Sequence, residues 1–421
     1  MIRSASDRWY RLGVWLSRAR GESLALAAAK VLAAGCALVV AAVSARNLGP
    51  TGRGEIVFVV TVVMLCSEFV SLGANVSGRI QILRKTGVLI EDYLGLVIAL
   101  VMVQALLVTL ILTTVGQARF GLDSATCLFG VALGVSMFFV NMMVDAAFAL
   151  RRTLETGIRE VLVGAVSVLC VVAALVVGRL SVSLVIGLTA VGYATGGAYL
   201  WAIVSRSANR VRFVPSNWSP ILRSGIPILA GSLGQAVAWR VDRVIVGLLS
   251  TSAALGVYSV AATAAELPRI LLIPAVQILA NRVATGDIAL HSLWPILRRL
   301  VLAYAVLMVG VAVAGAAIIT PIVGSGFAAV SDSIAVLALS ESLLGLFFVS
   351  VAVMTGLGHF RRLPAPSLCG AAVIVVADIM VVPRFGSIGA AWVRVAGFGS
   401  MALVASVLAL SCVRSSEDTS T

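Results

Sequence analysis

The chain has 421 residues, of which 60% are hydrophobic and only 12% charged, and its formal net charge is +13. Apolar content this high, laid down in twelve long stretches with little polypeptide between them, excludes a soluble globular domain of any size. The basic excess would suit a nucleic-acid binder, but the basic loops carry no interleaved stacking aromatics, so no nucleic-acid partner is expected.

Residues 1–21 come first. Their early arginines are followed by no apolar core of roughly 7 to 15 residues and no small-residue cleavage site, which argues against a cleaved signal peptide. Trp9, Leu12 and Leu16 fall at helical spacing among Arg8, Arg11 and Arg18, a pattern that predicts an interfacial helix on the membrane lipid. Apolar spans follow near 22–46, 54–74, 93–116, 124–150, 160–178 and 181–204. After a basic connector at 205–223, six more come near 224–250, 253–280, 296–320, 331–356, 363–382 and 387–413, and a tail at 414–421 ends the chain. A helix needs roughly 20 apolar residues to cover about 30 Å of hydrocarbon. Backbone amides in lipid must bond within their own segment, and the ten-residue alternation of a barrel is missing, so every span is predicted helical.

Orientation follows from the cations in the loops. Alternate loops on the side of the N-terminus hold 21 Lys and Arg residues, against five on the other side: Arg46, Arg53, Arg119, Arg179 and Arg384. This positive-inside split places both termini in the cytoplasm. The six cysteines lie in or at the edge of apolar spans without any C-x-x-C, and the two histidines, His291 and His359, sit in loops outside any metal motif. No metal and no cofactor is expected.

Sliding the sequence on itself by about 202 residues superimposes the twelve spans in order. Leu48 to Gly54, before the second span, then falls on Ser250 to Gly256, before the eighth. An even number of spans in each half makes the halves parallel repeats about an axis along the membrane normal. The expected fold is all-α and polytopic, with 12 transmembrane helices in two pseudo-symmetric six-helix lobes, 22–204 and 224–413, around a central cleft. The connector 205–223, with four arginines plus Pro215 and Pro220, marks the lobe boundary. No Gly-rich re-entrant filter suggests a channel. The pairs Gly130 with Gly134 and Gly192 with Gly196 are expected to allow close helix packing inside a lobe.

The stretch Ala45-Arg46-Asn47-Leu48-Gly49-Pro50-Thr51-Gly52-Arg53-Gly54 resembles the R-x-L-G-P-x-G-x-G junction between the first two helices of polysaccharide flippases. Three further segments are similar to that family: Ser224-Gly225-Ile226-Pro227, Val241-Asp242-Arg243-Val244-Ile245-Val246-Gly247 and Leu255-Gly256-Val257-Tyr258. The resemblance is to the polysaccharide-transporter branch of the multidrug/oligosaccharidyl-lipid/polysaccharide exporter superfamily. It implies a bacterial inner-membrane protein that moves a lipid-linked oligosaccharide, usually on undecaprenyl pyrophosphate, from inner to outer leaflet, beside glycan-assembly enzymes. Two features depart from the pattern: the first span offers no partner for Asp242, and twelve spans rather than fourteen argue against the peptidoglycan-precursor subgroup.

An ionisable residue in mid-span costs about 2.5–3.5 kcal/mol on insertion scales, so each one invites a functional reading. Arg240 and Arg243 are three apart and share a helix face, where guanidinium groups can replace the hydration of a pyrophosphate. Arg269, Lys30 and Arg79 are further candidates for substrate binding. Lys30 and Glu68 lie at similar depth, so a pair is expected there, with Glu68 as a possible coupling carboxylate; Glu341, with no local cation, is the other. Glu266 and Arg269, at i and i+3, are expected to neutralise each other, while Pro227, Pro268 and Pro274 mark hinges in the seventh and eighth spans.

The mechanism expected is a rocking of the two lobes about the cleft. Three rivals remain at this level: a cation-coupled drug exporter of the same superfamily, a membrane glycan polymerase or ligase, and a scaffold of a glycan-assembly complex. The exporter would want carboxylates and aromatics, yet aromatics are only 6% of the chain. The enzyme would want a large outer loop, and every outer loop is short, so no catalytic residue is assigned.

Overall fold

The computed structural model describes residues 3–84, 88–208, 210–285 and 290–418, with side chains described except at 3–24, 290–293, 316 and 415–418. The side chains of Trp9, Leu12 and Leu16, on which the interfacial-helix expectation rests, therefore lie outside the described residues, as do most of those of the tail. Every described element is a helix. They are α1 (Arg3–Ser71), α2 (Ala74–Arg84), α3 (Ile90–Ile111), α4 (Gln117–Phe120), α5 (Ser124–Ala149), α6 (Thr153–Val176) and α7 (Val182–Val204), then α8 (Pro215–Leu249), α9 (Ser252–Glu266), α10 (Arg269–Ala284), α11 (Leu290–Val323), α12 (Val330–Gly356) and α13 (Pro364–Asp418).

Among the described residues, nine helices are long and apolar enough to cross a bilayer, or ten when α9 and α10 are taken as one bent span. The chain is an all-α polytopic membrane protein. Two of these helices are far too long for one crossing and break at a glycine: α1 at Gly49 (φ 69°, ψ −175°) and α13 at Gly386 (φ 57°, ψ −143°). A side chain at such a φ would meet the following carbonyl, so glycine is what lets the chain turn there. Pro268 separates α9 from α10, and the two axes differ by 41°. Pro227 and Pro274, by contrast, lie within continuous helices.

Three helix starts, those of α5, α7 and α9, carry a side-chain cap. Asp123 accepts the Thr126 N–H at 2.9 Å, Ser181 that of Leu184 at 3.2 Å, and Thr251 that of Ala254 at 3.1 Å. The Thr126 side chain, and then its backbone N–H, holds the Asp123 carboxyl below its ordinary value. This contribution is complete above about pH 4 and fades as the pH falls through the lowered value. Asp123→Ala should cost about 0.5–1 kcal/mol, read as a lower unfolding midpoint at neutral pH that merges with wild type in acid.

In the first part of the chain α1 packs on α6, and α5 on α3 and α7; in the second, α12 packs on α10, α11 and α13, and α13 on α8. Gly130 and Gly134 seat α5 against Val59 and Val63 of α1 and Leu112 and Val108, while Gly192 and Gly196 seat α7 on Val163 of α6. Both glycine pairs thus pack helices of the first set. The two sets meet where α1 lies against α8 and α9, and α2 against α8. At one end a Cβ on Gly54 would overlap the Ser252 carbonyl, and one on Gly256 would overlap the Pro50 carbonyl. These contacts are reciprocal, because 256 − 54 and 252 − 50 are both 202. At the other end Gly73 meets the backbone of Gly225, and Ser77 bonds the Ile221 carbonyl at 2.7 Å and Ser224 Oγ at 2.6 Å.

Candidate functional site

A cavity of about 600 Å³ lies at this junction. One wall comes from α1, between Lys30 and Ala41 and again between Arg53 and Met64, with Glu160 and Ser167 of α6 and Tyr193 of α7. The other comes from Arg240 and Arg243 of α8, Glu266 of α9, and Arg269 and Ile273 of α10. Five cations (Lys30, Arg53, Arg240, Arg243, Arg269) line it against two carboxylates, Glu160 and Glu266, so the hollow attracts anions. Arg240 and Arg243 reach it together because three residues bring a helix back to the same face. Arg269 reaches it because the bend at Pro268 redirects the start of α10.

Behind the lining lies an ion-pair cluster that joins α8, α9, α10, α12 and α13. Arg243 Nη2 bonds Glu266 at 2.6 Å, and Arg240 approaches the same carboxylate at 3.4 Å. Arg269 forks onto Glu341, with Nε at 3.1 Å and Nη2 at 2.5 Å, and its guanidinium lies 4.9 Å from the Trp239 ring centroid. Arg394 of α13 reaches Asp242 at 3.2 Å and both Glu266 and Glu341 at 2.8 Å. Tyr258 donates to Asp242 at 2.5 Å. Each carboxylate is met by more than one donor, which is what lets charges persist away from water.

Of the candidate substrate-binding residues, Arg240, Arg243, Arg269 and Lys30 come together at the cavity. Arg79 does not; it pairs with Asp145 at 3.0 Å. Lys30 and Glu68 form no ion pair, because their side chains leave α1 in different directions despite similar depth: Lys30 is exposed into the hollow, and Glu68 is half-buried away from its lining. Glu341 is not short of cations, since Arg269 and Arg394 both bond it. Nor do Glu266 and Arg269 neutralise each other. The break at Pro268 lies between them, and Glu266 turns to Arg240, Arg243 and Arg394 instead.

Two residues of the site went unassigned in the sequence. Arg53 was counted as an outer-loop cation, yet it lines the cavity, donates to Ser44 Oγ at 3.3 Å and keeps a buried Nε without a partner. Its signal was its place just inside the flippase-like junction motif. Arg394 falls inside the apolar span 387–413, and a buried arginine must find carboxylates somewhere.

The sequence matches the family described as "Polysaccharide biosynthesis protein" over residues 21–279, more than half of the chain. No match to curated protein sequences is found. Among solved structures, the fold is similar to an inward-facing multidrug resistance MATE family transporter of the MOP superfamily, with a TM-score of 0.72 at 11% identity, covering 93% of this chain and 96% of that one. It is similar to the lipid II flippase MurJ in an inward closed conformation, with a TM-score of 0.70 at 13% identity, covering 91% of this chain and 86% of that one. A MOP superfamily transporter from Pyrococcus furiosus, described as having a binding pocket of reverse polarity, gives 0.63 at 11% identity, over 93% and 95% of the two chains. With a helical membrane fold like that of the MOP superfamily transporters and a family match over most of its length, the chain belongs to the polysaccharide biosynthesis protein family.

Proposed function

We propose that the protein is a flippase that carries a lipid-linked oligosaccharide, held by a polyprenyl pyrophosphate, from the inner to the outer leaflet of a bacterial cytoplasmic membrane for cell-surface polysaccharide assembly. The observation that carries this reading is the cavity with five lining cations against two carboxylates. A pyrophosphate loses its water on leaving the headgroup region, and guanidinium groups return those hydrogen bonds in charge-assisted, bidentate form. Val31, Leu32 and Val39 on the same stretch of α1 are exposed, so apolar, lipid-facing surface adjoins the hollow and a polyprenyl tail can stay in lipid while its headgroup is bound.

On this reading the helices make twelve crossings. The α1 and α13 spans, 47 and 55 residues long, each cross twice by turning at their glycine, and the bent pair α9 and α10 adds one more to the nine. Helices α1–α7 form one lobe and α8–α13 the other, with both termini cytoplasmic. The end bearing Gly54 and Gly256 then faces outward, and the lobes rock about the cavity, flexing at the bend by Pro268 and in the proline-bearing helices at Pro227 and Pro274. Glu68, which forms no ion pair among the described residues, serves as the coupling carboxylate, whereas Glu341 is committed to two guanidinium groups. The protein itself forms or breaks no covalent bond.

The direct test is transport in proteoliposomes loaded with a polyprenyl-pyrophosphate oligosaccharide. Protein-dependent arrival of the glycan in the opposite leaflet supports the flippase; its absence with folded protein, or transport of cationic drugs in its place, refutes it. Arg240→Ala should reduce that transport by about tenfold or more and prevent surface glycan assembly in cells, with protein levels normal. Unchanged glycan would remove Arg240 from the mechanism.

A further inference from the structure

Among the four arginines of the ion-pair cluster, three line the cavity and one does not. Arg240, Arg243 and Arg269 face the hollow; Arg394 is only 1% exposed and stands behind them on α13. It is also the member that touches every carboxylate of the cluster: Asp242 at 3.2 Å, Glu266 at 2.8 Å and Glu341 at 2.8 Å. The Phe398 ring, 4.9 Å from its Cζ, covers one face of its guanidinium. A group so enclosed cannot meet a substrate. It can decide how much of the neighbouring charge a substrate meets.

Four arginines against three carboxylates leave the cluster one positive charge in excess. Without Arg394 three would face three: Glu266 would be left to Arg240 and Arg243 alone, and Glu341 to Arg269 alone. An anion would then have to compete with an internal partner already in place. With Arg394 present, the carboxylates are bonded from behind and the cavity arginines keep donors to offer. Arg240 lies a loose 3.4 Å from Glu266, and Arg243 Nε is buried without a hydrogen-bond partner.

We infer that Arg394 is a positioning residue: its guanidinium shares Asp242, Glu266 and Glu341 from outside the cavity, and so leaves donors of Arg240, Arg243 and Arg269 to bind the phosphates of an anionic lipid headgroup. This rests on the flippase reading and adds the residue that sets the strength of its binding site.

Asp242 makes the idea testable, because Arg394 is the only side-chain cation within 4 Å of it among the described residues. Removing both members returns the cluster to three arginines against two carboxylates, the same excess as wild type. The full-length protein in lipid nanodiscs is titrated with inorganic pyrophosphate and with polyprenyl pyrophosphate, and its unfolding midpoint is followed in parallel. Arg394→Gln should weaken binding of both probes by about tenfold or more. The double variant Asp242→Asn with Arg394→Gln should recover to within about threefold of wild type, which a purely structural role would not produce. Asp242→Asn alone, with a larger positive excess, should bind at least as tightly as wild type; this variant decides the matter where Arg394→Gln does not fold. Folded Arg394→Gln that binds like wild type, a folded double variant that fails to recover, or weaker binding by Asp242→Asn overturns the inference and leaves the flippase reading standing. Wild-type protein that binds neither probe overturns both.

Discussion

Glu341→Ala should destabilise the protein by about 3–5 kcal/mol, the largest effect expected of any single side chain described above. The carboxylate is 1% exposed and takes a forked pair of hydrogen bonds from Arg269 and another from Arg394. Truncation removes the anion and leaves two largely buried guanidinium groups facing each other without the carboxylate between them. Arg394 would retain Asp242 and Glu266, but Arg269 would keep only the Trp239 ring beside it. Denaturant or thermal unfolding in detergent reads the loss. A fall of less than about 1 kcal/mol would mean that the cluster is hydrated enough for its members to stand alone. Glu160→Ala offers a contrast, since that carboxylate is partly exposed and bonds the adjacent Arg159 at 3.2 Å, and it should cost far less.

Gly256→Val is the second large effect, and it acts through shape. The added Cβ would overlap the Pro50 carbonyl, a backbone atom that cannot rotate aside as a side chain would. The helices α1 and α9 would have to part. Overpacking of this kind costs about 1–3 kcal/mol, and transport should fall to background because the two halves could no longer close at this end. Gly310→Ala is the control, since a Cβ there meets nothing within 4 Å. Wild-type transport by Gly256→Val would show that the contact at Gly54 and Gly256 plays no part in closure.

The helices were legible because lipid leaves the backbone so little choice. Hydropathy alone marked out the apolar segments, and the loop prolines and glycines marked their ends. Closeness of Gly54 and Gly256 to the opposite backbone was foreshadowed only by their coincidence in the repeat. The partners within the charge cluster were not legible. Arg269 and Glu341 are 72 residues apart, and Arg394 and Asp242 are 152 apart, so no local pattern joins them. Depth along the membrane normal was a poor guide in the case of Lys30 and Glu68, since rotation about the helix axis also decides what a side chain meets. Spacing misled for Glu266 and Arg269, because the i, i+3 rule assumes one unbroken helix and Pro268 ends it. Residue type served better: a chain that places arginines in mid-span must supply carboxylates to match, and Asp242, Glu266 and Glu341 were all recognisable as such.

The join at Gly54 and Gly256 has the form of an isologous dimer interface, in which each partner presents the same patch to the other. Both halves supply a bare glycine and a carbonyl four residues before it, so the patch is self-complementary. No covalent link runs through it. Two polypeptides, divided at the basic connector, would still carry between them every atom that this contact requires.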